Sequence, residues 1–180
     1  MDGMDREQLA SRIHQVSNLK GTFILRSGAT ASEYFDKYLF EGDPRLLKAI
    51  AEAMLPLIPG DADALAGLEL GGVPIATVLS QLSGLPLLSV RKKAKEYGTR
   101  RLAEGGEVAG RKLVIIEDVV TSGGQVVISS GELRELGAEI STALCVIDRQ
   151  AGGVEALREI GVELRPLFTM SELKAAAGEA

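Results

Sequence analysis

The sequence predicts an α/β protein with a doubly wound parallel sheet flanked by helices, and three observations predict it. Short, continuously apolar runs at residues 64–68, 87–90, 113–116 and 140–147 have the composition of strands buried on both faces. Segments of helical spacing alternate with them, the pattern of successive strand–helix–strand units. The apolar content is aliphatic: 46% of the 180 residues are hydrophobic but only 4% are aromatic, with no Trp, which suits an α/β core better than a β-sandwich. That length fits one domain with a substantial core.

Each element has its own signal. Leu9, Ile13, Val16 and Leu19 recur at helical spacing over residues 5–19, giving an amphipathic N-terminal helix. Residues 21–25 read as a short strand, 26–30 as a turn through Ser27 and Gly28, and the aromatic Tyr34-Phe35 follows. Asp43-Pro44 supplies an N-cap and a proline at the first helical position. Leu46, Leu47, Ile50, Met54 and Leu57 continue that helix until Pro59-Gly60. Helices are expected over 75–83, 125–136 and 154–160, and a late strand over 162–167. Thr169-Met170-Ser171-Glu172 matches a capping box for a closing helix.

Bulk properties exclude several classes of function. A net charge of −5 argues against a general nucleic-acid or acidic-membrane surface. No apolar run approaches the roughly 20 residues that span a bilayer, and the acidic start Met1-Asp2-Gly3-Met4-Asp5 carries no secretory signal. Cys145 is the lone cysteine and sits in an apolar run, so a buried, unpaired thiol in a cytoplasmic, reducing compartment is expected. His14 is the only histidine, which leaves zinc sites and Cys–His catalysis without support. Walker A, dinucleotide-binding and Gly-x-Ser-x-Gly motifs are absent from the sequence, against nucleoside-triphosphate, NAD and hydrolase readings.

The most informative stretch is residues 113–125. An apolar strand runs into Glu117 and Asp118, then Val119, Val120, Thr121, Ser122, Gly123, Gly124 and Gln125 at the start of a helix. Adjacent side chains on a strand diverge, so the two acids are not expected to share a proton with each other. They are placed to hold hydroxyl groups, or a divalent cation through its waters. Hydroxyls and backbone N–H groups at a helix N-terminus form an anion site. Acids for hydroxyls beside a cradle for a phosphate describe a binder of ribose 5-phosphate.

Ligands of doubly wound sheets bind beyond the carboxyl ends of the strands, and other signals gather on that rim. Glu69-Leu70-Gly71-Gly72-Val73-Pro74 follows the strand at 64–68, its glycines allowing close backbone approach. Asp148-Arg149-Gln150 ends the strand at 140–147. Between Arg91 and Arg101 stand six basic residues (Arg91, Lys92, Lys93, Lys95, Arg100, Arg101) and one acid, Glu96. Residues 95–110 are polar and contain glycine, the mark of a functional lid, and a cationic lid suits a diphosphate.

The run at 113–125 resembles the PRPP-binding motif of type I phosphoribosyltransferases, where PRPP is 5-phosphoribosyl 1-diphosphate. Arg91-Lys92-Lys93-Ala94-Lys95-Glu96-Tyr97-Gly98 resembles the loop of the orotate phosphoribosyltransferases within that family, which usually reads Arg-Lys-x-x-Lys-x-His-Gly. Phe23-Ile24-Leu25-Arg26-Ser27-Gly28 and Asp148-Arg149 match two further stretches, so the likeness runs over about residues 20–150 in the family's order. Two positions depart from it. Tyr97 stands where many members carry a histidine, and Leu70-Gly71 where some carry Tyr-Lys.

The resemblance implies transfer of the phosphoribosyl group from PRPP to orotate, giving orotidine 5′-monophosphate and diphosphate in pyrimidine synthesis. It implies a core at about 41–150 with a small hood from about 1–40 and 151–180. Lys95, Asp118 and Glu117 would be catalytic. PRPP would be held by Arg91, Lys92, Lys95, Tyr97 and the stretch from Glu117 and Asp118 through Val119, Val120, Thr121, Ser122, Gly123 and Gly124 to Gln125. Orotate would be held by Arg26, Thr121 and Arg149. Mg2+ would arrive on PRPP without direct protein ligands. A homodimer is expected, with loop 92–110 acting on the neighbouring site. The alternatives are another type I phosphoribosyltransferase, for a purine or uracil, and a non-enzymatic PRPP-sensing regulator. The regulator would lose the loop or add a DNA-binding segment, and this sequence does neither.

Overall fold

The computed structural model of the chain describes residues 4–25, 27–94 and 101–179. Helix α1 (Arg6–Ser17) opens with a complete capping box, in which the Gln8 N–H donates to Asp5 and the Asp5 N–H donates to the Gln8 side chain. A hairpin follows, β1 (Asn18–Ile24) antiparallel to β2 (Thr30–Phe35). The sequence signals only the first of these strands. Both are largely exposed, so neither shows the alternation of apolar and polar residues that marks a half-buried strand.

Helix α2 (Lys37–Gly42) is capped by Asp36 and is not legible from periodicity, being only 6 residues long. Asp43 then caps α3 (Pro44–Met54), accepting from the N–H groups of Arg45 and Leu46, as its Asp-Pro start predicts. A single 3-10 turn over Leu55–Leu57 leads to Pro59-Gly60.

The central sheet has six strands: β3 (Ala64–Leu68), β4 (Leu87–Val90), β5 (Ala103–Glu104), β6 (Lys112–Val120), β7 (Glu139–Asp148) and β8 (Glu163–Thr169). Their spatial order is β5-β4-β3-β6-β7-β8, parallel throughout except for the short edge strand β5. Helices α4 (Gly72–Ser83), α5 (Gly124–Glu135), α6 (Gly153–Glu159) and α7 (Met170–Ala176) connect and close it.

Side chains one residue apart on a strand feed opposite faces, and two apolar clusters result. Leu65, Val114, Ile116, Leu144 and Val146 pack with Leu9 and Ile13 of α1, Ile50 of α3 and Ile75 of α4. Ala64, Ala66, Leu113, Ile115, Ala143 and Cys145 pack on the other face with Val126 and Leu133 of α5 and Leu157 of α6. Burying a side chain such as Ile116 contributes about 1.5–3 kcal/mol. Cys145 is the buried thiol expected, and burial pushes its pKa well up.

The chain steps from β3 outward to β4, returns past β3 to β6, and then continues to β7 and β8. The direction of winding therefore reverses between β3 and β6, and the crevice of such a sheet opens at that switch. Register deepens it. β3 pairs with β6 only as far as Gly67 opposite Ile116, whereas β7 pairs with β6 onward through Val120 opposite Asp148.

Two expectations need correction. β6 does not end before the acids: the ladder with β7 carries it through Glu117 and Asp118 to Val120. The polar stretch at 95–110 is also not one long lid. Residues 101–110 pack onto the sheet, with β5 on β4 and with Leu102, Ala103 and Val108 buried. Those three apolar side chains provide the anchorage that composition alone obscured.

Candidate active site

The floor of the crevice is built from β6 and the loop after β3. At Gly72 an added Cβ would lie 2.2 Å from the Ile116 carbonyl oxygen, and at Gly71 it would lie 1.6 Å from Asp118 Oδ2. No side chain fits at either place, which is why the loop can lie flat against the strand.

The expected divergence of Glu117 and Asp118 is not met: the Glu117 side chain turns back onto its neighbour, and a side-chain hydrogen bond between the two helps to raise the Glu117 pKa. Glu117 Oε1 accepts from the Asp118 N–H at 3.0 Å, and Asp118 Oδ1 accepts from the Val119 N–H at 2.5 Å. The Asp118 side chain is fully buried, and Lys37 Nζ of α2 pairs with its Oδ2 at 2.5 Å. Glu41, one turn further along α2, brings Oε1 to the same spot beside Gly71. Burial, and after it the adjacent Asp118, lift the Glu41 pKa to about 8. Burial also lifts Glu117 to about 8, with the Asp118 charge adding to it. Burial alone would lower Lys37, but the bond to Asp118 and its charge outweigh that and raise it. Two side chains of α2, Lys37 and Glu41, thus reach Asp118.

After Val120 the chain turns through Thr121, Ser122 and Gly123 into α5. Gly123 has φ of 78° and caps the helix without any side-chain bond. A Cβ there would meet Leu157 Cδ1 at 2.6 Å, so glycine is required by contact as well as by conformation. Thr121 and Ser122 are exposed. Residues from Glu117 and Val119 to Val126 line a depression of about 200 Å3 at this helix N-terminus. Hydroxyls, N–H groups and the positive end of the helix dipole there favour a phosphate.

The Arg149 N–H donates to the Val120 carbonyl at 2.9 Å, which sets exposed Arg149 beside Thr121. Asp148 is buried and accepts from the Gln150 N–H at 2.9 Å. The Gln150 side chain in turn accepts from the Ser171 N–H and hydroxyl at 3.2 and 2.5 Å, tying this corner to α7.

At the base of the basic segment, the Lys92 N–H donates to Glu69 Oε1 at 2.6 Å, and Arg91 Nε pairs with Glu104 of β5 at 3.5 Å. Arg91 is thereby engaged with the sheet edge. Arg26, Lys95, Tyr97 and Arg100 lie outside the described residues.

A family model described as the phosphoribosyl transferase domain matches residues 42–160. The chain is 55% identical to an orotate phosphoribosyltransferase of a Nocardioides species over 168 residues, covering 93% of this chain and 94% of that protein. The chain belongs to the orotate phosphoribosyltransferase family. Among solved structures, the orotate phosphoribosyltransferase of Mycobacterium tuberculosis in complex with Fe(III) dicitrate matches with a TM-score of 0.83 at 30% identity, over 94% of this chain and 99% of that one. The same enzyme in complex with PRPP matches with a TM-score of 0.81 at 27% identity, over 94% and 99% of the two chains. The mostly parallel sheet with helices on both faces is the orotate phosphoribosyltransferase fold.

Of the residues the sequence singled out, the structure gathers Glu117 and the loop from Thr121 to Gln125 around one depression, ties the Arg149 backbone to the adjacent Val120, and buries Asp118 beneath them. Reading the sequence for an orotate phosphoribosyltransferase missed Lys37 and Glu41, and gave Glu69 only as the start of the glycine loop after β3. The available signal was the spacing of Lys37 and Glu41. Four residues apart on a helix, they lie on one face, but such pairs are usually solvated and nothing local tied them to Asp118.

Proposed function

We propose that the chain transfers the 5-phosphoribosyl group from PRPP to orotate, releasing diphosphate and orotidine 5′-monophosphate, a step of pyrimidine synthesis. The observation that carries this reading is the contact of the Arg149 backbone with Val120. It sets a guanidinium next to the phosphate loop, where a base carrying a carboxylate would meet the ribose. The planar fork of Arg matches a carboxylate with two parallel hydrogen bonds.

Roles follow from this arrangement. Thr121, Ser122, Gly123, Gly124 and Gln125, following Val119 and Val120, cradle the 5-phosphate. Glu117 and Asp118 face the ribose hydroxyls. Displacement at the anomeric carbon builds positive charge on the ribose, which carboxylates in a crevice stabilise in place. Arg91, Lys92, Lys95 and Tyr97 attend the diphosphate, and Arg26 and Thr121 help to orient orotate. Positioning and electrostatics suffice, with no covalent step on the protein.

Mg2+ carried on PRPP is part of the proposal, with Glu117 on the lining of the phosphate-loop depression as the acid that would meet it. When bound there, Mg2+ would neutralise the leaving diphosphate.

A homodimer is part of the proposal, with residues of loop 92–110 serving the neighbouring site. Exposed Ile24 and Tyr34 on the hairpin, Tyr38 and Leu39 on α2, and Leu70 support it, since exposed large apolar groups mark contact surfaces. A cytoplasmic setting suits the single buried Cys145. No helix among the described residues is long and apolar enough to cross a membrane.

The test follows orotate consumption with PRPP and Mg2+, omitting each in turn and replacing orotate by uracil or adenine. Orotate should be consumed only in the complete mixture. Turnover of uracil or adenine in preference to orotate would overturn the assignment.

A further inference from the structure

We propose that Lys37, with Glu41 beside it, is a positioning residue of the transfer site that holds the Asp118 carboxylate in place beneath the ribose. The inference rests on the reading that Asp118 faces the ribose of PRPP. Neither the acid pair nor the loops around it point to α2, so the assignment comes from the three-dimensional arrangement.

Both oxygens of Asp118 are committed. Oδ1 accepts from the Val119 N–H at 2.5 Å, and Oδ2 faces Lys37 Nζ at 2.5 Å. The Lys37 side chain is 33% exposed while Asp118 is 0% exposed, so one end of the pair is in the floor and the other borders solvent. Nζ also lies 5.3 Å from the centroid of the Tyr38 ring, a contact that favours a cation. Among the described residues, Lys37 is the cation paired with Asp118. The loop that forms the opposite wall, Glu69-Leu70-Gly71-Gly72, brings none.

The neighbouring acids make that cation necessary. Asp118 has Glu117 on one side and Glu41 on the other, with Glu41 Oε1 and Asp118 Oδ2 converging on Gly71. Three carboxyl groups in one partly buried place cannot all be ionised at low cost. Burial and mutual repulsion lift Glu41 and Glu117 to about 8, so protons reside there near neutrality. Lys37 lies against Asp118 and fixes it among these acids. A hydrophobic pair would fill a purely structural position equally well. Here the buried carboxylate instead lies at the switch between β3 and β6, with partly exposed Lys37 leading from it to solvent.

The experiment compares Lys37→Met, Lys37→Gln and Lys37→Arg with wild type, each checked for folding by circular dichroism and for kinetics with orotate and PRPP varied separately. Lys37→Met should lower kcat/KM for PRPP about 30-fold while the orotate KM moves less than about twofold, since one preorganised charge is removed from the ribose side alone. Lys37→Arg should recover at least about tenfold of that loss. On an Asp118→Asn background, Lys37→Met should cost less than about threefold more, because two residues acting through one carboxylate are not additive. If Lys37→Met does not fold, Lys37→Gln takes its place with the same expectation of loss.

A folded Met or Gln variant with PRPP kinetics within twofold of wild type would overturn the proposal. So would equal losses for both substrates, no recovery by Arg, or full additivity with Asp118→Asn. Wild type assayed in parallel separates the two levels. An inactive wild type contradicts the transferase reading itself, whereas an active wild type with indifferent Lys37 variants contradicts only the role of Lys37.

Discussion

Gly71 and Asp118 occupy one space: a Cβ built on Gly71 would lie 1.6 Å from Asp118 Oδ2. The glycine of one loop and the buried acid of the neighbouring strand are therefore a single design element at the switch point. Gly71→Ala cannot be accommodated with the carboxylate where it stands. The obstructing atom is the end of a side chain, so the carboxylate must swing away from Lys37. The expected result is a folded protein with kcat/KM for PRPP lowered about a hundredfold, the scale of losing one preorganised contact of about 3 kcal/mol. Near-normal PRPP kinetics in folded Gly71→Ala would show that the position of Asp118 is immaterial.

Much of this fold is legible in the sequence. β3 and β4 have the bounds that their apolar runs predict, because a strand buried on both faces leaves a continuous signature. The caps at Asp43 and Thr169 follow from local chemistry alone. The extension of β6 through Glu117 and Asp118 does not follow, because charged residues end a strand in any reading by hydropathy. Only the ladder with β7 holds them in register. The joining of Lys37 and Glu41 to Asp118 depends on how α2 docks across the sheet, a long-range packing outcome without a local pattern.

Arg149 supplies the next prediction. Its backbone is fixed to Val120 while its side chain is exposed, so truncation should leave the fold intact. Arg149→Ala should raise the orotate KM at least about tenfold, on the scale of a lost charge-assisted bond, and change the PRPP KM by less than about twofold. Equal changes in both, measured by initial rates, would remove Arg149 from recognition of the base.

The raised pKa of Glu41 makes a statement about stability against pH. Lys37, Asp118 and Asp36 face it, and Glu117 lies beyond Asp118 in the same cluster. Unfolded, Glu41 titrates near its ordinary value of 4.5; folded, near 8. The folded protein therefore binds more protons across that window, and its stability falls as pH rises from about 5 to about 8. The contribution is fully present below the unfolded value and lost above the folded one. Glu41→Gln mimics the protonated form and should flatten the decline of Tm over this range by a few degrees, with about 1 kcal/mol moving Tm by about 2–4 °C in a chain of this size. Parallel Tm profiles for the Glu41→Gln variant and wild type from pH 5 to 8 would contradict a protonated Glu41.

The proposed homodimer can be tested by complementation. Lys95 belongs to the basic loop and Asp118 to the floor of the crevice, and if the loop serves the neighbouring subunit the two come from different chains at each site. Lys95→Ala and Asp118→Asn should then each be nearly inactive alone. Mixed under conditions that allow subunits to exchange, they form heterodimers in which one site lacks both residues and the other lacks neither. At full random exchange half the molecules are heterodimers with one intact site of two, so activity should approach roughly a quarter of wild type if sites act independently. A heterodimer verified by mass spectrometry but without recovered activity would place the loop over its own subunit's site. Wild type that sediments as a monomer while fully active would remove the shared site altogether.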